Sequence, residues 1–154
     1  MEVYICRHAR ADFGSKDEDP PISAKGIEET GRVLELARQR FGFKPTVLVS
    51  SPVLRAKQTA DLGKQKLGLK SFVIDKCLYG DAEPSAVLKF LSKYKMEERV
   101  ALVSHMPLIF ELLYTLIGGR GEVELLNGSI AAVSFKGKAA AGEGKLSWLI
   151  QPGV

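Results

Sequence analysis

A chain of 154 residues, 45% hydrophobic and 26% charged, has the length and composition of one folded domain spanning residues 1–154. Two Cys and two His are too few for a disulfide scaffold, a Cys-rich zinc module or a His-rich metal site. The formal charge of +4 comes from basic residues scattered among acids, without the concentrated stripe that a nucleic-acid partner would need.

In chain order, short apolar runs alternate with amphipathic stretches. Val3–Cys6 reads as a buried strand, followed by a polar, proline-bearing loop from His8 to Pro21. Ser23 is placed to cap a helix running to about Phe41, with Ile27, Val33, Leu34 and Ala37 on its apolar face. Thr46–Val49 is a second strand, and Pro52 suits the first turn of a helix reaching about Leu67. Phe72–Ile74 is a short third strand, and Pro84 starts a helix through about Tyr94. Val100–Val103 is apolar throughout, as expected of a strand covered on both faces.

Pro107 opens a helix to about Ile117, which Gly118 and Gly119 stop. Ser129–Phe135 and Leu146–Ile150 read as strands joined across the glycine-rich Gly137–Gly144 turn, a terminal hairpin. The alternation predicts an α/β three-layer sandwich. A mostly parallel central sheet is flanked by helices, with an antiparallel C-terminal hairpin strand. No apolar run is long enough to span a membrane, and the acidic start does not resemble a signal peptide. A cytoplasmic protein with two unpaired buried thiols, Cys6 and Cys77, is the expectation.

In such a sheet, ligands bind beyond the carboxyl ends of the strands. Three segments there carry unusual chemistry. They are Cys6-Arg7-His8-Ala9-Arg10, Ser50-Ser51-Pro52-Val53-Leu54-Arg55-Ala56-Lys57-Gln58-Thr59 and Ser104-His105-Met106-Pro107. Both histidines therefore fall on one edge. Arg55 falls in the first turn of its helix, where a cation faces the positive end of the helix dipole, unless an anion binds between them. Arginine offers paired donors to phosphoryl oxygens, and a neutral imidazole is a nucleophile for phosphorus. Nearby Arg charges help to keep the ring neutral. The edge reads as a phosphate site.

Arg7-His8-Ala9, Ser51-Pro52-x-x-Arg55-Ala56-x-Gln58-Thr59 and Ser104-His105-x-Pro107, in that order on those elements, resemble the histidine phosphatase (phosphoglycerate mutase-like) superfamily. Within it, the chain is most similar to the small SixA-type protein-histidine phosphatases. The likeness runs over nearly the whole chain, including Leu78-x-Gly80-Asp81 and Ser129-Ile130-Ala131. The resemblance implies a metal-independent phosphatase with no cofactor. His8 would be the nucleophile and form a phosphohistidine intermediate. Arg7, Arg55 and His105 would complete the phosphate pocket, with Arg10 and Ser129 as further substrate-binding candidates. Asp81 and Glu83 occupy the loop where other branches place a proton donor, although both also suit the start of a helix.

Two positions depart from the family pattern. Ala9 stands where glycine usually follows the nucleophile, which is tolerable if its φ is negative. Pro20, within Asp17-Glu18-Asp19-Pro20-Pro21, stands where SixA-type chains often carry an arginine. The implied substrate is phosphohistidine in a protein. The alternatives are a small phosphoester, or binding of a phosphorylated partner without turnover. A monomer or weak dimer is expected. The chain is short for a phosphoglycerate mutase, whose insertions enclose the substrate.

Overall fold

The computed structural model describes residues 1–14, 19–121 and 123–153. Six strands form one sheet: β1 (Glu2–Arg7), β2 (Val47–Ser50), β3 (Val73–Ile74), β4 (Arg99–Ser104), β5 (Ile130–Ser134) and β6 (Lys145–Ile150). Their order is β3-β2-β4-β1-β5-β6. β1, β2, β3 and β4 are mutually parallel through their pairings. β5 runs against β1, and β6 runs against β5 as the expected hairpin. The reversal is thus confined to β5, and β6 points the same way as β1.

Side-chain alternation along the strands divides the core in two. Val3, Ile5, Val100 and Leu102 face α3 (Pro84–Leu91) and α4 (Leu108–Leu116). Tyr4, Cys6, Ala101 and Val103 face α1 (Ala24–Arg40) and α2 (Leu54–Leu67). Val100 to Ser104 are all buried, as their unbroken apolar run requires of a strand covered on both sides. Each fully buried Leu or Ile here contributes about 1.5–3 kcal/mol relative to exposure. That burial gives the two inner strands little freedom to shift register.

Several boundaries differ from the sequence reading. The Ser23 hydroxyl caps α1 by accepting from the Gly26 amide, as expected. Ile27, however, is exposed, and Gly26 and Thr30 take the inner face with Val33, Leu34 and Ala37. The cause is the loop after β1. A Cβ on Gly26 would lie 2.3 Å from the Arg10 carbonyl oxygen, so only glycine lets that loop rest on the helix. The Ser23 amide and hydroxyl both donate to the same carbonyl.

Pro52 lies before the α2 N-cap, Val53, rather than in the first turn, and Pro107 is itself the α4 N-cap. α3 stops at Leu91, short of Tyr94, and Phe72 lies outside β3. α4 ends at glycines with φ of 76° and 69°, a left-handed region that favours glycine. Cys6 is buried, whereas Cys77 is only half-buried. Burial pushes both thiols up to about 12, so neither is a ready nucleophile.

The register brings the carboxyl ends of the inner strands level. Arg7 pairs with Ser104, and Ser50 pairs with Val103. The next residues along the chain are His8, His105 and Ser51. Because β5 is reversed, its start joins the same edge, with Ile130 opposite Cys6.

Candidate active site

Backbone bonds fix the positions of the key residues before any side chain acts. The His8 amide donates to the Ser104 carbonyl at 3.0 Å, and the Arg7 amide donates to that of Ser129 at 3.1 Å. Ser51 continues the ladder by donating to Val103 at 3.0 Å. From the β5 side, the Gly128 amide donates to the carbonyls of both Arg7 and His8, and the Asn127 side-chain amide also reaches the His8 carbonyl. The Ala9 amide donates to the Thr59 hydroxyl at 2.9 Å, and that hydroxyl donates to the Arg55 carbonyl at 2.8 Å. One threonine thus ties the loop carrying His8 to the helix turn carrying Arg55.

The His8 tautomer follows from its partners. Its Nδ1 lies 2.8 Å from the Ala9 carbonyl oxygen, which only accepts, so Nδ1 carries the proton. Nε2 therefore keeps its lone pair. Facing that lone pair is Arg55, whose Nε–H donates to it at 3.4 Å. The His105 ring lies 5.0 Å away, centroid to centroid.

Both imidazoles are neutral near pH 7. His8 is lowered to about 4, chiefly by burial, with the charges of Arg55 and Arg7 adding and the bond to Ala9 opposing. His105 is lowered to about 3, again first by burial and then by His8, Arg55 and Arg7. Burial thus outranks the arginine charges that the sequence brings to mind.

His105 is held by Ser51. His105 Nε2 and the Ser51 hydroxyl are 2.7 Å apart, and that hydroxyl already accepts from the Val53 amide. If Ser51 donates to Nε2, its proton has an acceptor and His105 Nδ1 carries hydrogen. That Nδ1 is buried and has no partner among the described residues.

Arg7 donates from one terminal nitrogen to the Leu125 carbonyl at 2.7 Å, while its buried Nε has no partner among the described residues. Arg55 is the second residue of α2, whose N-cap Val53 provides no side-chain bond to the first amides. The α4 end is less available than its proline suggests. The Leu108 amide donates to Gly80 and the Ile109 amide to His105.

The structure thus brings His8, His105, Arg55 and the Arg7 backbone to one edge. Arg10 points elsewhere: its side chain is 53% exposed and pairs with Glu29 at 3.1 Å. The Ser129 hydroxyl is buried without a partner among the described residues. It lines an internal cavity with Cys6, Thr30, Leu34 and Thr59 on the α1/α2 side of the sheet.

Asp81 and Glu83 are exposed. Glu83 is the α3 N-cap but makes no side-chain cap bond. Gly80, just before Asp81, packs so closely that a Cβ would lie 3.2 Å from that of His105. Ala9 is fully buried and does not have a positive φ, so the usual glycine is not needed. Asp17 and Glu18 of the acidic stretch lie outside the described residues. Ser51, Thr59 and Asn127 have supporting contacts that no sequence argument assigned. Their signal was present for the first two, which stand inside the quoted motif.

A neutral imidazole with an unprotonated Nε2, flanked by guanidinium donors, is equipped to take up a phosphoryl group and to bind its equatorial oxygens. Among the described residues no three His, Cys, Asp or Glu side chains gather into a metal-ligating group.

The profile of the histidine phosphatase superfamily (branch 1) matches residues 3–79. An uncharacterised protein of Picosynechococcus is 32% identical over 114 residues, covering 70% of this chain and 67% of that one. Phosphohistidine phosphatase SixA of Escherichia coli is 28% identical over 159 residues, covering 99% and 94%. Among solved structures, the protein histidine phosphatase SixA complexed with tungstate superposes with a TM-score of 0.87 at 24% identity, covering 99% of this chain and 97% of that one. A mycobacterial glucosyl-3-phosphoglycerate phosphatase superposes at 0.70 with 16% identity, covering 96% and 97%, and so shares the fold. With its profile match, its curated relatives and its fold in agreement, the chain belongs to the histidine phosphatase superfamily and is a phosphatase similar to SixA over its whole length.

Proposed function

We propose that this chain hydrolyses phosphohistidine in a protein without a metal, by way of a phosphorylated His8. The observation that carries the reading is the His8 tautomer. The Ala9 carbonyl holds the proton on Nδ1, so the lone pair on Nε2 faces Arg55.

In the first step His8 Nε2 attacks phosphorus. The new N–P bond forms as the bond to the leaving nitrogen breaks, and the departing electron pair stays on that nitrogen. A substrate imidazole protonated on its other nitrogen then leaves as neutral imidazole. A water next attacks phospho-His8, releasing phosphate and restoring the free ring. Arg55, Arg7 and the Nδ1–H of His105 bind the equatorial oxygens, where charge spreads during transfer. Similarity to the E. coli phosphohistidine phosphatase supports the choice of substrate. A phosphoester would demand more, because an alkoxide leaving group needs a proton donor.

Rapid quench of the wild-type protein with a phosphohistidine protein should trap an acid-labile, alkali-stable phosphoenzyme. His8→Ala should abolish it and lower turnover by about 10³-fold or more. Full activity in His8→Ala, or loss of wild-type activity on adding a chelator, would overturn the mechanism. Phosphate binding with no trapped intermediate and no turnover would indicate a binding module instead. Turnover of small phosphoesters alone would indicate a phosphomonoesterase.

A further inference from the structure

The Arg55 guanidinium is gripped from outside as well as from within. Its Nε faces His8, while its NH1 lies 3.9 Å from an Asp19 carboxylate oxygen. Its central carbon lies 5.8 Å from the centre of the Phe13 ring, within cation–π range. Arg55 is 23% exposed and Asp19 is 56% exposed, so the ion pair marks the passage from the floor of the site to solvent. Phe13 is 68% exposed. The next residue, Pro20, stands where SixA-type chains often carry an arginine.

We propose that Asp19 determines charge selectivity: it favours substrates with a cationic group next to the phosphoryl group and disfavours those with a second anion there. The inference rests on the phosphatase reading for its substrate. When a phosphoryl group takes up the Arg55 donors, Asp19 loses part of its partner while remaining half-open to solvent. A lysine or arginine flanking the phosphorylated residue then satisfies that carboxylate. A flanking carboxylate would be repelled. The cationic floor and the anionic rim together match a phosphoryl group set in a basic segment. They do not match a compact small molecule with several negative charges, such as a bisphosphate.

The test compares two phosphohistidine peptides that differ only in a Lys or a Glu beside the phosphorylated residue. Wild type should show a kcat/KM about two- to fivefold higher for the Lys peptide, the range of an exposed ion pair, and the ratio should shrink as salt is added. Asp19→Asn should bring the ratio close to one, Asp19→Arg should invert it, and Asp19→Glu should preserve it. A purely structural Asp19 would alter both peptides equally. A ratio unchanged in Asp19→Asn and Asp19→Arg overturns the proposal.

Calorimetric binding of the matching phosphoserine peptides, which needs no turnover, separates this inference from the catalytic one. A flank preference in phosphoserine-peptide binding that Asp19→Arg inverts, with no hydrolysis of either phosphohistidine peptide, supports the selectivity and sinks the catalytic reading. Hydrolysis with no flank preference does the opposite.

Discussion

His8 and His105 are 5% and 4% exposed, and strand-end backbone bonds hold the segments that carry them. Arg10, Asp19, Asp81 and Glu83 stand in loops of the same molecule and are exposed. The two sets are fixed by different forces. The floor is set by the register of β1, β4 and β2, by burial on both faces of the sheet, and by the Thr59 and Asn127 bonds to the backbone around His8. Changing its geometry would disturb the core. At the rim, Arg10 and Asp19 are held by ion pairs open to solvent, each worth at most about 1 kcal/mol. Rim charges can therefore change without disturbing the floor.

The sharpest way to break that distinction is to remove one arginine from each region. Arg55→Ala should lower kcat/KM by about 10²–10³-fold, the typical cost of deleting one aimed donor to a phosphoryl or oxyanion group. Arg10→Ala should stay within about threefold of wild type, because its guanidinium is committed to Glu29 and solvent. Steady-state kinetics on one phosphohistidine protein decides it. Equal losses in the two variants would mean that the rim takes part in the chemistry.

The same distinction explains what the sequence revealed. Arg7, His8, Arg55 and His105 were legible because each follows an apolar run by a fixed number of residues, and strand register converts that spacing into position. The strands and helices were legible for the same reason. Side-chain partners were not. Arg10 stands two residues from His8, but its fate depends on Glu29, nineteen positions along in α1. Ile27 matched the helical period, but the close approach of the Arg10 backbone at Gly26 rotated the inner face toward Gly26 and Thr30. The Asp19 contact with Arg55 depends on a loop path that no periodicity records. Ser51 and Thr59 sat inside a recognised motif, but their roles as hydrogen-bond relays need atomic distances.

Acid should expose the floor directly. His8 is lowered to about 4 and His105 to about 3, both below the ordinary histidine value of about 6.5. The unfolded chain thus binds protons that the folded chain refuses. Stability is full above pH 6.5 and falls as pH drops from there toward 4. For His8 alone the loss is about 3 kcal/mol. Denaturant unfolding at pH 7, 5.5 and 4.5 should show the decline, and His8→Gln should flatten part of it. Because the chain has only two histidines, ring carbon NMR resonances can follow both without ambiguity. Both should remain in the neutral form at pH 5.5. Arg55→Ala should raise the His8 midpoint, since the Arg55 charge is one of its lowering causes. A midpoint near 6.5 for either ring would show that the floor is wet.

Modest effects are also expected at Asp81 and Glu83. A general acid typically contributes about 10²–10⁴-fold. Both residues are exposed, and Glu83 stands at the N-cap of α3. A phosphohistidine whose imidazole leaves neutral makes little demand on either. Asp81→Asn and Glu83→Gln should therefore each change phosphohistidine turnover by less than about tenfold. The informative comparison uses aryl phosphates whose leaving groups span a range of pKa. An enzyme that protonates its leaving group is insensitive to that pKa, and loss of the acid makes the dependence steep. If Asp81→Asn or Glu83→Gln steepens the slope, that residue donates the proton to esters, and the rim contributes to chemistry for that substrate class. If the slope is already steep in wild type and neither variant alters it, the site lacks a dedicated acid. The proposed preference for a nitrogen leaving group would then follow from the chemistry of the leaving group itself.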